Sequence, residues 1–140
     1  MGACVVAMSA CGSVGGRSPS VARPPAPITL TVYVNDARVS VWPESFGAGP
    51  VVFIVTNQAS RAEALAISRA DQSQPLASTA PINPQGTTQV AVDFRPGDYT
   101  ISTSPHGATD AQLSQASLIR SAQIHIGHER ATAKNQLLQP

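Results

Sequence analysis

Three histidines and a glutamate are the residues whose types could do chemistry in this chain. "HIGHE", His125 to Glu129, sets His125 and His128 three residues apart beside Glu129, and His106 stands alone in "TSPHG". Imidazole nitrogen and carboxylate oxygen together suit Zn or Cu(II). Brought together from neighbouring loops, His106, His125, His128 and Glu129 would form a metal site without a thiolate. The alternative is three solvated histidines near one end of a sheet, since this spacing matches no established ligand pattern. Catalytic arrangements are absent from the sequence. It contains no GxSxG, no phosphate-binding loop, and carboxylates that stand apart from one another, so no acid/base pair is nominated and no enzyme is expected.

The sulfur chemistry is confined to the start. Both cysteines fall at Cys4 and Cys11, which excludes a disulfide framework or a Cys-ligated metal centre built within the rest of the chain. "VVAMSACGS", Val5 to Ser13, places an apolar run and then Ser9-Ala10 directly before Cys11, and it resembles a bacterial lipobox. That resemblance implies cleavage before Cys11, lipidation of its thiol and attachment to the extracytoplasmic face of a cell membrane. No Lys or Arg precedes Cys11, so the basic n-region of such a signal would have to lie upstream of Met1. The myristoylation pattern fits poorly, because Val6 occupies the place of its Ser or Thr.

Those groups need a scaffold, and composition bounds it. With 140 residues, 42% hydrophobic and 12% charged, the chain supplies one core, and no apolar run approaches the roughly 18 residues of a membrane-spanning helix. A net charge of +1 leaves the basic residues scattered, so no nucleic-acid partner is expected. All nine Lys and Arg except Lys134 are arginine, a usage typical of GC-rich bacterial coding sequences. "GSVGGRSPSVARPPAP", residues 12–27, mixes flexible Gly/Ser with stiff Pro and reads as a tether between residues 1–11, the signal, and the domain.

From Ile28 the pattern turns to period two. Ile28, Leu30, Val32 and Val34 alternate with Thr29, Thr31 and Tyr33, which predicts a half-buried strand, and Arg38 to Trp42 predicts another after an Asn35-Asp36 turn. Glu44 to Pro50 is read as a Gly-rich loop. Trp42, beside it, is the candidate interface anchor. "VVFIVTN" predicts a strand buried on both faces, "EALAIS" a strand, Ala77 to Ile82 a weak edge strand, and "NPQG" a turn. Strands over Thr87 to Phe94, Tyr99 to Thr103 and Leu118 to Ile126 follow, with one short helix predicted over Ala108 to Ser117 and a loose tail over residues 131–140. The expected domain spans residues 28–130. It is all-β, an antiparallel Greek-key sandwich of seven to eight strands with at most one short helix.

"FRPGDY" puts Pro96 and Gly97 in a turn and Tyr99 just beyond it, the corner in which a tyrosine hydroxyl fixes a crossover between sheets. Taken with the order "VVFIVTN", "EALAIS", "INPQGTTQVAVDF" and "RPGDYTIS", it resembles the cupredoxin-like domains over about Ile28 to Ile126. In the copper-binding members a histidine follows the strand-ending asparagine, a cysteine closes the strand after the corner, and a second histidine and usually a methionine follow. Here Asn57 matches the asparagine, but the segment after it holds Glu63 and no histidine. Thr103 stands where the cysteine belongs, His106 lies near the second histidine's place, and there is no methionine after Met8. The resemblance therefore implies the scaffold without the thiolate and paired imidazoles that blue copper requires. The expected protein is a membrane-anchored binding or interaction module with no cofactor and an unidentified protein partner. The alternative is a Cu- or Zn-handling protein using the histidines.

Overall fold

The computed structural model describes residues 25–105 and 119–131. Cys11, most of the expected tether, His106, the expected helix over Ala108 to Ser117, and residues 132–140 lie outside that range. Eight strands run in the order β1 (Ile28–Val34), β2 (Val39–Trp42), β3 (Ser45–Asn57), β4 (Glu63–Arg69), β5 (Pro75–Ser78), β6 (Thr87–Phe94), β7 (Gly97–Pro105) and β8 (Ala122–Glu129). The described residues contain no helix.

The alternation of β1 is realised directly: Leu30, Val32 and Val34 are buried, while Thr29 and Tyr33 are exposed. Asn35 then closes the β1–β2 hairpin by accepting the Ala37 and Arg38 amides on its side-chain oxygen, at 2.9 and 2.8 Å. This is the local chemistry that makes asparagine a turn residue.

Strand β3 is the organising element. Residues 45–48 pair with β8, whereas residues 49–57 lie between β1 and β6, so one strand passes from one half of the sandwich to the other. The stretch expected as a Gly-rich loop is therefore strand. Its glycines serve the crossover instead of a turn. Gly49 has φ +120°, and a Cβ there would stand 2.7 Å from Pro25 Cγ; a Cβ on Gly47 would stand 2.8 Å from the His128 carbonyl oxygen. Arg130 ties the same crossover down by donating to the carbonyls of Pro50, at 2.6 Å, and Ala26, at 3.2 Å. Pro25 is itself buried, so the packed domain begins before Ile28.

The sheet is mixed, which corrects the expectation of a wholly antiparallel arrangement. β1–β3 and β3–β8 are parallel, while β1–β2, β3–β6, β4–β5, β4–β7 and β7–β8 are antiparallel. Turn signals announce only strands joined by a hairpin, and parallel neighbours never are. Two smaller corrections follow the pairings. β5 covers Pro75–Ser78 instead of Ala77 to Ile82, leaving Ile82 in a single bridge to Glu63. Val52 and Ile54 in β3 are only half-buried, so that strand has one core face and not two.

The two halves close on one core. Phe53 and Phe94 come from one half and Phe46 and Tyr99 from the other, and they meet edge to face with centroids 4.8 to 6.4 Å apart. Such geometry sets the positive ring edge against the negative face of its neighbour. Leu65, Ile67, Ile101, Ile124 and Ile126 complete the layer from β4, β7 and β8.

Candidate functional site

The corner at the end of β6 holds the second half in place. Gly97 takes φ +143°, and the Tyr99 hydroxyl donates to the Arg95 carbonyl at 3.0 Å. Pro96 and Gly97 turn the chain so that the next buried side chain, Tyr99, lands against Phe94.

At one end of the sandwich lie Asn57, Glu63 and Thr103. Asn57 is fully buried and saturated: its side-chain amide donates to the carbonyls of Arg61, at 2.7 Å, and Ile82, at 2.8 Å, while its oxygen accepts the Ala59 amide at 2.9 Å. It stitches the loop after β3 to the β5–β6 connection. Glu63 is buried at the start of β4, and its Oε2, like the hydroxyl of Thr103 on β7, has no hydrogen-bond partner among the described residues. Burial pushes the Glu63 carboxyl above its ordinary range, and the Arg61 guanidinium only partly offsets this. A buried carboxyl and hydroxyl beside a saturated amide offer hard oxygen donors and no sulfur or nitrogen ligand. That donor set does not fit a thiolate-imidazole copper centre.

His125 is exposed between the buried Ile124 and Ile126, and its Nδ1 lies 2.7 Å from Asp98 Oδ1 on β7. His128 is an odd number of residues along the same strand, and a register irregularity opposite Gly47/Ala48 separates it and Glu129 from His125. Among the described residues no three His, Cys, Asp or Glu side chains group as metal ligands. His106 lies outside those residues. Ser45, His125 and Asp98 are register partners across β3, β8 and β7, beside a shallow depression of about 360 Å³. The described residues show no hydrogen bond between Ser45 and His125.

Trp42 sits on the outer face of the other half, 80% exposed, opposite Thr31. Tyr33, 46% exposed, is two residues along β1 on the same face. Sequence reasoning named Trp42 and passed over Tyr33, although its place among the outward residues of β1 was the available signal. Asp98, the partner of His125, carried no such signal because only the β7–β8 register brings it there.

No protein-family profile matches the chain, and no curated protein is similar to it in sequence. Its backbone is nevertheless similar to solved structures. Auracyanin B superposes with a TM-score of 0.54 at 15% identity, over 76% of this chain and 93% of that one. The fold is cupredoxin-like. Reduced rusticyanin matches with a TM-score of 0.51 at 14% identity, over 71% and 79% of the two chains. Auracyanin A from Chloroflexus aurantiacus, described as a "blue" copper protein, matches at 0.51 and 12%, over 73% and 100%. At these identities the likeness covers the cupredoxin-like scaffold and extends to no ligand or activity.

Proposed function

We propose that this chain is an extracytoplasmic lipoprotein, lipidated at Cys11, whose cupredoxin-like domain is a non-enzymatic binding module held at the membrane surface. It works without a type-1 copper site and without a resident cofactor. The observation that carries the reading is Trp42, 80% exposed on the outer sheet face of a domain whose sequence has no cysteine after Cys11. A large aromatic left in water on a rigid strand is the kind of residue that anchors an interface. The scattered charge supports a partner other than nucleic acid. Among the described residues no helix is long and apolar enough to cross a membrane, so in this reading the acyl chains supply the attachment.

Two measurements test it. Membrane fractionation of bacterial cells expressing the chain with a basic n-region placed before Met1 should find it with the membranes and a Cys11→Ala form released; unchanged partition of the variant removes the lipoprotein. Calorimetric titration of a Cys4→Ser, Cys11→Ser form with Cu(II) and Zn(II) addresses the rival metal-handling reading, in which His106, His125, His128 and Glu129 would act together. Binding tighter than about micromolar, about −8 kcal/mol, would favour that rival.

A further inference from the structure

The outer face of the half-sheet formed by β2, β1, the later part of β3, and β6 is built in rows fixed by register. One row is Trp42, Thr31, Ile54 and Gln89; the next is Ser40, Tyr33, Thr56 and Thr87. The Thr56 and Thr87 hydroxyls, 3.2 Å apart, show that neighbouring side chains of a row meet. Neither row contains a charged residue. Charges stand at its margins, with Arg38, Glu44 and Arg120 around the β2 edge beside Ser40 and Asp93 near the end of β6.

We propose that this face binds a neutral glycan chain laid across the strands, with Trp42 and Tyr33 as its stacking platforms. The proposal rests on the reading of the domain as a binding module and supplies that module's ligand class. A pyranose ring presents a face of C–H groups, whose slight positive charge suits the negative face of an aromatic ring. Its rim presents hydroxyls that donate and accept at once, as the Ser and Thr hydroxyls and the Gln89 amide here also do. Trp42 and Tyr33 are diagonal neighbours on adjacent strands, roughly 7–8 Å apart in such pairs, so one extended oligosaccharide can lie on both.

The composition of the face separates this occupant from others. An anionic or cationic chain would find no counter-charge within the rows. A protein partner would have to desolvate Thr31, Ser40, Thr56, Thr87 and Gln89, polar groups of which serine in particular is depleted in protein interfaces. A sugar replaces the water on those groups with hydroxyls of the same capacity.

Trp42 is the only tryptophan in the chain, so its fluorescence reports on this face alone. The full chain is titrated with cellohexaose, mannohexaose and chitohexaose, and with hexagalacturonate as the anionic counterpart. At least one neutral hexasaccharide should shift Trp42 emission saturably to shorter wavelength, with hexagalacturonate inactive. Affinity electrophoresis in the matching polysaccharide should show binding weakened about tenfold or more by Trp42→Ala and by Thr31→Arg. Leu76→Ala, at an exposed position on β5, should leave binding unchanged. Circular dichroism confirms that each variant is folded. No saturable shift with any neutral sugar, equal binding of hexagalacturonate, or full retardation of Trp42→Ala would each overturn the proposal. So would sedimentation showing that a second copy covers the face. A photo-reactive phenylalanine at position 42 in cells separates the two layers of the argument. Cross-linking to a protein, without any glycan response, overturns the glycan and keeps the module; neither signal overturns both.

Discussion

The Tyr99 hydroxyl donates to the Arg95 carbonyl oxygen at 3.0 Å, closing the turn that carries the chain from β6 into β7. The same ring stands edge-on to Phe94, with centroids 4.8 Å apart, and the Arg69 guanidinium carbon lies 5.9 Å from its centre. Hydrogen bond and ring are separable by mutation. Tyr99→Phe keeps the packing and should cost about 1 kcal/mol in urea unfolding, the usual net worth of one such bond. Tyr99→Ala should cost about 3–5 kcal/mol, as other large-to-small aromatic truncations in cores do. Equal stability of Tyr99→Phe and the parent chain would show that the ring alone makes the corner.

Asn57 should be less replaceable than its size suggests. Truncation to alanine leaves the Arg61 carbonyl and the Ala59 amide without that partner, while the Ile82 carbonyl keeps the Glu63 amide at 3.1 Å. Each orphaned group costs about 1–3 kcal/mol, so Asn57→Ala should lose about 2 kcal/mol or more. Asn57→Asp should be worse near neutral pH, since it turns a carboxylate toward two carbonyl oxygens, and should recover part of the loss in acid. Denaturant midpoints at two pH values decide between these outcomes.

Gly49 tests the strand crossover. At φ +120° a side chain is strained, and an added Cβ would also press on Pro25 at 2.7 Å. Gly49→Ala should therefore destabilise by about 1–3 kcal/mol through the backbone alone. A neutral outcome in thermal unfolding would mean that the crossover adjusts without Gly49.

How much of this was legible in the sequence depends on the range of the interaction. β1, β4 and β6 were readable because alternation is a property of consecutive residues, and Asn35 and the Pro96-Gly97 pair announce their own turns. Glu44 to Pro50 was misread for the same reason in reverse. Gly49 and Gly47 there relieve contacts with Pro25 and His128, which are distant in sequence, while pairing with β8 and β6 makes the segment strand. The site followed the same division. Trp42 was nominated from a flanking loop that is strand from Ser45 onward, and its neighbours Thr31 and Ile54 and the pairing of His125 with Asp98 exist only through register.

Glu63 gives the clearest pH dependence. Its carboxyl is buried with Oε2 unpartnered, and desolvation raises its pKa above the unfolded value; Asp36 nearby adds to the rise, while Arg61 opposes it. The native state thus keeps this proton to higher pH than the unfolded state does. Stability linked to Glu63 is full below the unfolded pKa and falls as pH climbs through the folded one. Glu63→Gln removes the titration while keeping the shape. It should unfold much like the parent near pH 4 and be more stable by about 1 kcal/mol at pH 8, where the parent must hold a buried charge. Asp36 works in the opposite sense. Hydrogen bonds from the Ser60 amide and hydroxyl, both 2.9 Å, hold its pKa below the ordinary value, so its contribution is present above that range and lost in acid. Both chains keep Asp36, so the difference between their pH–stability curves isolates Glu63. A difference that shrank as pH rose would show that Glu63 is stabilised as an anion, against the burial seen here.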